Sequence, residues 1–197
     1  MIIIGLTGSI GSGKSLAAKF FKSKKIPVYD ADKEVKKVLK NYKIIKKLKI
    51  FFPDCFKKNK LNKNELADIV FKNKKKLRKL ESIIHPKVGT EKKIFLAKHK
   101  IKKTPLVILE IPILFETQGE KNCNFTILMT INKKEQFKRL LERKKMSKER
   151  YKQIMTNQID DKYKKKKADF VVSNNSTKEK TRKKLELILK KILSTDL

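Results

Sequence analysis

The chain has 197 residues, of which 37% are charged and 39% are hydrophobic, and its formal net charge is +33. This length suits one α/β domain with elaborations, and no apolar run approaches the roughly eighteen residues of a membrane-spanning helix. The apolar run at residues 1–4 is too short for a signal peptide. The isolated cysteines Cys55 and Cys123 exclude a disulfide framework and a CxxC zinc site. We therefore expect a cytoplasmic protein with no membrane partner.

The net charge comes mainly from lysine, which makes up 48 of the 53 basic residues and is scattered through every segment. A charge of this size can indicate a nucleic-acid or membrane surface. Scatter, however, is typical of a general compositional bias. We therefore expect no specific nucleic-acid partner, although the positive field favours phosphate-rich ligands. A nucleic-acid-binding ATPase stays an alternative, which lysines gathered on one folded face would favour.

The first predicted strand, residues 2–7, leads into Gly-x-x-x-x-Gly-Lys-Ser and then into a helical pattern. This is the order of a P-loop. Its glycines let successive N–H groups point into one concavity, and the helix adds its positive end, so the loop suits a polyphosphate. We expect Lys14 to reach the β- and γ-phosphates and the Ser15 hydroxyl to bind Mg²⁺. The predicted ATP-binding residues of the loop are Gly8, Gly11, Ser12, Gly13, Lys14, Ser15 and Leu16.

A short second strand is predicted at residues 26–29, and Asp30 and Asp32 follow it. Ligands of open α/β sheets bind at the carboxyl ends of the strands, so both aspartates are expected to face the phosphate site. Alternatively, one of them caps a helix that begins near residue 33, which leaves the other free for chemistry.

Residues 33–99 are predicted to be mostly helical, with a break at Pro53 and a second interruption at Pro86. A proline suits the start of a new helix and disfavours a helical conformation at the residue before it, here His85. A helical insertion of this length between the second and third strands indicates a substrate-binding lobe.

The rest of the chain alternates strands and helices. Residues 105–110 are predicted to form a strand beside the first one, and Glu110 ends it as an acidic residue near Mg²⁺. A turn follows that carries two exposed-looking apolar residues and a second carboxylate, Glu116. The other predicted elements are strands at 124–131 and 170–173 and helices at 133–144, 147–166 (with Ser147 as N-cap) and 177–193. This alternation predicts an α/β fold with three layers around a parallel five-stranded sheet.

Three of the five arginines, Arg139, Arg143 and Arg150, fall in one helical stretch. Arg139 and Arg143 lie on one helix face and can meet the same polyphosphate, for which the guanidinium fork is well shaped. Small-molecule kinases use such a lid over ATP. The alternative is a pair of surface cations. The sequence NKKE that begins at Asn132 superficially resembles a guanine-binding motif of GTPases, but a lysine-rich helix explains it equally well.

Taken together, several segments resemble the dephospho-coenzyme A kinase family over essentially the whole chain. They are GLTGSIGSGKS at 5–15, VYDAD at 28–32, LADIVF at 66–71, LESIIHP at 80–86, LEIPILFE at 109–116, the spaced residues Gln136, Arg139, Arg143, Gln153 and Gln158, and ADFVV at 168–172 with Asn174. The chain departs from the family pattern at Leu16, Glu110 and Ile113, at Asn62–Lys63 and in a shortened stretch between residues 40 and 52.

The resemblance implies an enzyme that transfers the γ-phosphoryl group of ATP to the 3′-hydroxyl of dephospho-coenzyme A, with Mg²⁺. It implies one P-loop kinase domain with a core at about 1–32, 104–132 and 168–197, an acceptor lobe at about 33–103 and a lid at about 133–167. The implied catalytic residues are Asp32 as base, Lys14, Arg139 and Arg143. The implied acceptor contacts are Asp32, His85, Ile111, Pro112 and Leu114, and Asn174 is expected to approach the adenine.

Some alternatives stay open beside this interpretation. His85 is equally explained as a helix-terminal residue that bonds to the backbone. A P-loop kinase for another small acceptor, such as a nucleoside monophosphate, would share the same loop and lid. We expect a monomer or a small homo-oligomer.

Overall fold

The structure, a computed structural model, describes residues 1–142, 147–156 and 158–195, and for Lys148 and Arg150 the backbone alone. The described strands are β1 (Ile2–Thr7), β2 (Val28–Asp30), β3 (Phe56–Lys57), β4 (Lys60–Leu61), β5 (Leu106–Glu110), β6 (Phe125–Thr130) and β7 (Phe170–Ser173). The described helices are α1 (Lys14–Ser23), α2 (Ala31–Val38), α3 (Tyr42–Phe51), α4 (Lys63–Lys72), α5 (Lys74–Ile101), α6 (Lys133–Leu141), α7 (Lys148–Thr156), α8 (Asp161–Lys167) and α9 (Lys178–Thr195). Short 3₁₀ turns lie at Pro53–Cys55 and Gly119–Asn122.

The chain forms two compact units, of which the first comprises Met1–Asp30 and Lys102–Leu197. Its five strands form a parallel sheet in the order β2-β5-β1-β6-β7, which confirms the predicted α/β fold. β1 lies at the centre, and its apolar side chains Ile4 and Leu6 are fully buried, because a parallel sheet needs both faces covered. Alternate strand residues pack on one face against Ala17 and Phe21 of α1 and Leu185 of α9.

The second unit comprises Ala31–Ile101 and is built around the long helix α5, which packs against α2, α3 and α4. Its core contains Val38, Leu48, Leu66 and Val70. The side chain of Asn62 caps α4 by accepting hydrogen bonds from Asn64 N at 3.2 Å and Glu65 N at 3.3 Å. Asparagine is as good an N-cap as aspartate, so this departure from the family pattern keeps the helix start intact.

The prediction of a helix boundary at Pro86 is wrong. α5 runs without interruption through His85 and Pro86, although a proline in a helix interior costs about 3 kcal/mol. Buried Ile83 and Ile84 before the proline and partly buried Val88 after it pack against the same core. Packing of both halves on one core therefore outweighs the local preference, and it also rules out a helix-terminal role for His85.

Three other elements differ from the prediction. α2 begins at Ala31, so that Asp30 ends a strand directly before it and Asp32 lies in its first turn. The hairpin β3–β4 was not predicted; its two turn residues, Lys58 and Asn59, both have positive φ, as a type I′ hairpin turn requires. The helix expected at 147–166 is two helices, because the side chain of Asp160 accepts a hydrogen bond from Lys162 N at 2.6 Å and caps α8.

Over the described residues, none of the helices has both the length and the apolar character needed to cross a membrane.

Candidate active site

The P-loop connects β1 to α1 at the carboxyl edge of the sheet, and its three glycines all have positive φ. At Gly8 an added Cβ would overlap the carbonyl oxygen of Met129, and at Gly13 it would overlap the side-chain amide of Asn174. Both positions therefore need glycine for space as well as for backbone conformation. Gly13 is the N-cap of α1, so the positive end of that helix faces the loop.

Lys14 folds back over this loop. Its Nζ donates hydrogen bonds to the carbonyl oxygens of Gly8 at 2.6 Å and Ser9 at 3.2 Å, so the ammonium group lies against the loop backbone. The side chain of Ser15, the next residue of α1, is exposed. Leu16, also expected to lie near ATP, is partly buried, and its backbone N–H donates to Gly13 O at 2.9 Å.

Ser12 faces inward rather than toward the mouth of the loop. Its side chain is fully buried, its N–H donates to Ser9 O at 3.1 Å, and its hydroxyl has no hydrogen-bond partner within the described ranges. In this conformation Ser12 therefore shapes the loop from beneath.

Asn174, expected near the adenine, lies beneath the P-loop. Its side chain is buried, donates to Ser12 O at 3.1 Å and accepts from Thr181 Oγ at 3.2 Å. Its backbone carbonyl accepts a hydrogen bond from Arg139 Nη2 at 3.3 Å. The amide therefore supports the loop, and Arg139 is held beside the same segment.

Arg139 lies on α6 and is partly exposed. Its Nε donates to Glu135 Oε1 at 2.8 Å, one turn earlier on the same helix. α6 is itself capped by Asn132, whose side chain accepts from Glu135 N at 2.8 Å, so the NKKE sequence has a structural role at a helix start. Arg143, the second predicted lid arginine, lies outside the described residues.

The tip of the P-loop, Ser9 and Ile10, is held by three side chains from the segment expected to form the lid. Ser9 Oγ donates to Asp161 Oδ1 at 2.5 Å. Ile10 O accepts from Gln136 Nε2 at 2.6 Å, and Ile10 N donates to Gln158 Oε1 at 3.4 Å. Sequence reasoning did not assign these roles. The two glutamines were among the residues that carry the family resemblance, whereas Asp161 gave no signal.

The turn after β5 is tied to the strand that leads into the P-loop. Ile111 N donates to Leu6 O at 3.0 Å, and Thr7 Oγ donates to Pro112 O at 3.2 Å. Ile111 and Pro112 are both partly buried. The same turn brings Leu114, a predicted acceptor contact, to full burial beside Gly5.

The expectation of two exposed apolar residues in this turn is wrong. The apolar side chains of residues 111–115 are partly or fully buried, because Leu114 packs beside Gly5 and the backbone of the turn is hydrogen-bonded to β1. In this conformation Leu114 is a core residue.

The carboxylates fall in different places. The strand register sets Glu110 beside Leu6 on one side and beside Asp30 on the other, at the carboxyl edge of the sheet. Asp32 lies in the first turn of α2 and is exposed. His85 is exposed in the middle of α5.

A Mg²⁺ site at this P-loop would depend on few protein ligands. Within the described residues there is no group of three or more His, Cys, Asp and Glu side chains that could hold a metal ion. Mg²⁺ in nucleotide enzymes is usually held by one or two protein oxygens, substrate phosphates and water. The exposed Ser15 hydroxyl at the start of α1 fits this arrangement.

Comparisons with known proteins extend over the whole chain. A family model described as dephospho-CoA kinase matches residues 2–180. A dephospho-CoA kinase of Bartonella henselae is 35% identical over 193 residues, which cover 98% of this chain and 99% of that protein.

Two solved structures agree with the fold. A protein of Thermus thermophilus has a TM-score of 0.81 and 33% identity, with 98% of this chain and 97% of that chain covered. A dephospho-CoA kinase from Campylobacter jejuni has a TM-score of 0.69 and 29% identity, with 99% and 98% covered. A P-loop at the edge of a parallel sheet, a family match over most of the residues and whole-length identity above 30% lead to one conclusion: the chain belongs to the dephospho-CoA kinase family.

Proposed function

We propose that the protein transfers the γ-phosphoryl group of ATP to the ribose 3′-hydroxyl of dephospho-CoA, the final step of coenzyme A biosynthesis. The observation that carries this proposal is a P-loop in a chain that belongs to the dephospho-CoA kinase family. In this loop Gly8, Gly11 and Gly13 have positive φ, and Lys14 lies over the loop backbone. ATP is supplied in the cytoplasm, where we expect the protein to act.

The loop and Lys14 are proposed to bind ATP. When ATP enters, the Lys14 ammonium exchanges the carbonyls of Gly8 and Ser9 for phosphate oxygens, which are stronger partners because they are charged. The N–H groups of the loop and the N-terminus of α1 add positive potential at the same place. Ser15 would hold Mg²⁺, which supplies neutralisation of the charge on the phosphates.

Arg139 and Arg143 are proposed to stabilise the charge that develops on the transferred group. The contact of Arg139 with the carbonyl of Asn174 supports this role, since that contact holds the guanidinium beside the segment under the P-loop. The bonds from Nε to Glu135 and from Nη2 to Asn174 O use two of the five guanidinium N–H groups, which leaves the others for a phosphate.

Asp32 is proposed as the base that orients and deprotonates the 3′-hydroxyl. Its exposed carboxylate lies two residues after the end of β2, whose carboxyl end belongs to the edge where ligands of parallel sheets bind. His85, Ile111 and Pro112 are proposed as acceptor contacts. Leu114 and Asn174 are assigned to supporting the turn and the loop, since both are buried.

The test is ADP formation by the purified protein with ATP and Mg²⁺. We expect ADP to form when dephospho-CoA is present and not when it is replaced by nucleoside monophosphates. Activity with a monophosphate and none with dephospho-CoA would overturn the proposal. Asp32→Ala should lower kcat by at least about a hundredfold, within the range of general-base catalysis, and leave ATP affinity nearly unchanged. Asp54→Ala, which removes another exposed carboxylate of the second unit, is the matched control and should retain activity.

A further inference from the structure

The part of the P-loop that needs outside support is its tip, Ser9 and Ile10. These residues stand between Gly8 and Gly11, so the backbone on both sides has the conformational freedom of glycine. A loop that binds phosphate through its N–H groups must hold its peptide planes in one orientation before the ligand arrives. In this chain the tip is held from outside.

Asp161 makes the shortest of the three contacts to the tip. Ser9 Oγ lies 2.5 Å from Asp161 Oδ1 and donates to it, and a hydrogen bond to a carboxylate is about twice as strong as one between neutral groups. Ser9 is fully buried, so water does not compete for its hydroxyl. Gln136 and Gln158 then hold the carbonyl and the N–H of Ile10.

Asp161 is itself rigidly placed. It lies in the first turn of α8, and the side chain of Asp160 caps that helix. One turn later, Lys164 is fully buried, with its Nζ 2.8 Å from Glu116 Oε1. Glu116 also accepts a hydrogen bond from Ile159 N at 3.1 Å. The turn after β5 therefore contacts both the residues just before α8 and the helix itself.

A second chain of contacts connects the tip to α7. Tyr151 OH donates to Gln136 Oε1 at 3.2 Å, while the amide of the same Gln136 donates to Ile10. The Tyr151 phenol is protonated at neutral pH and can therefore donate; burial, and then the charge of Asp161, raise its pKa further.

We propose that Asp161 is a positioning residue of this kinase: through Ser9 it holds the P-loop tip in the conformation that binds the phosphates of ATP. The proposal rests on the proposed function for the identity of the nucleotide. Asp161, in the segment expected to form the lid, would thus fix the conformation of the P-loop before ATP binds.

The test is a calorimetric titration of the protein with ATP in the presence of Mg²⁺, which measures the dissociation constant of ATP. Asp161→Asn should weaken ATP binding about tenfold, at the lower end of what a hydrogen bond to a charged group contributes. Ser9→Ala should produce a similar loss, and the double variant should lose no more than either single variant, because both remove the same contact. Losses that add in the double variant would overturn the proposal.

Asp160→Asn is the matched control, since it removes one negative charge from the adjacent position and keeps an N-cap. It should change ATP affinity by less than about twofold. An equal loss in Asp160→Asn and Asp161→Asn would overturn the proposal in favour of a general effect of charge or helix stability.

Circular dichroism must show that all variants are folded. If Asp161→Asn unfolds, the variants Ser9→Ala and Asp161→Glu provide the same comparison. Titration needs no acceptor, so failure to phosphorylate dephospho-CoA is distinguishable from failure of this proposal.

Discussion

The buried ion pair between Lys164 and Glu116 offers a sharp test of what holds the first unit together. Lys164 has no exposed side-chain surface, and Glu116 has 14%. Lys164→Met would keep the aliphatic stem but leave the carboxylate without its cation. Removing one partner of a buried pair typically costs 3–5 kcal/mol, and we expect about 3 kcal/mol because Glu116 keeps its hydrogen bond from Ile159.

The measurement is thermal unfolding followed by circular dichroism. For a chain of this length, 1 kcal/mol corresponds to about 2–4 °C, so Lys164→Met should lower Tm by about 6–12 °C. The neighbouring Lys165 is exposed, so Lys165→Met is the matched control and should change stability by less than about 0.5 kcal/mol.

The double variant Lys164→Met/Glu116→Gln separates the cost of an unpaired charge from the value of the pair. Although Lys164 Nζ lies near Glu116, it has no partner in hydrogen-bond geometry within the described residues, nor does Glu116 Oε2. A buried pair with such poor hydrogen bonding gains little over neutral side chains. We therefore expect the double variant to recover to within about 1 kcal/mol of the parent. A double variant as unstable as the sum of its two single variants would refute this reasoning.

Three further predictions concern a glycine, a proline and the cysteines. Gly13→Ala places a Cβ on the buried side-chain amide of Asn174 at a φ of +104°, so it should weaken ATP binding at least about tenfold in a titration. Gly89→Ala in α5, where an added Cβ meets nothing within 4 Å, is the control and should leave ATP binding unchanged. Pro86→Ala should stabilise the protein by about 1–3 kcal/mol in urea unfolding, because it restores a helical N–H, and an unchanged midpoint would contradict this account of α5. Burial raises the pKa of the Cys55 thiol, with nearby carboxylates adding to the effect, so a thiol reagent should label partly exposed Cys123 first and Cys55 only on unfolding. Equal labelling rates of the two thiols in the native state would contradict the burial of Cys55. Because the folded state favours the protonated thiol, Cys55 should also contribute stability at neutral pH, and this contribution is lost as pH rises above the usual thiol range.

Local signals in the sequence were sufficient for the fold class and the family. The apolar run before Gly8 and the spacing of glycines before Lys14 are properties of adjacent residues, so they predict a strand, a phosphate-binding loop and a helix without knowledge of the rest of the chain. The alternation of strands and helices in residues 105–193 predicts the parallel sheet in the same way.

The contacts that complete the candidate site depend on residues far apart in sequence. Gln136 and Asp161 reach the P-loop tip across 126 and 152 positions, and no local pattern indicates which side of α6 or α8 faces it. The same holds for Pro86, where packing on one core carries a helix through a residue that disfavours it. Propensity and spacing act over a few residues, whereas burial and hydrogen bonding are decided by which elements pack together. The sequence alone therefore determined that this chain has a P-loop, and only the tertiary structure decided which side chains hold that loop in place.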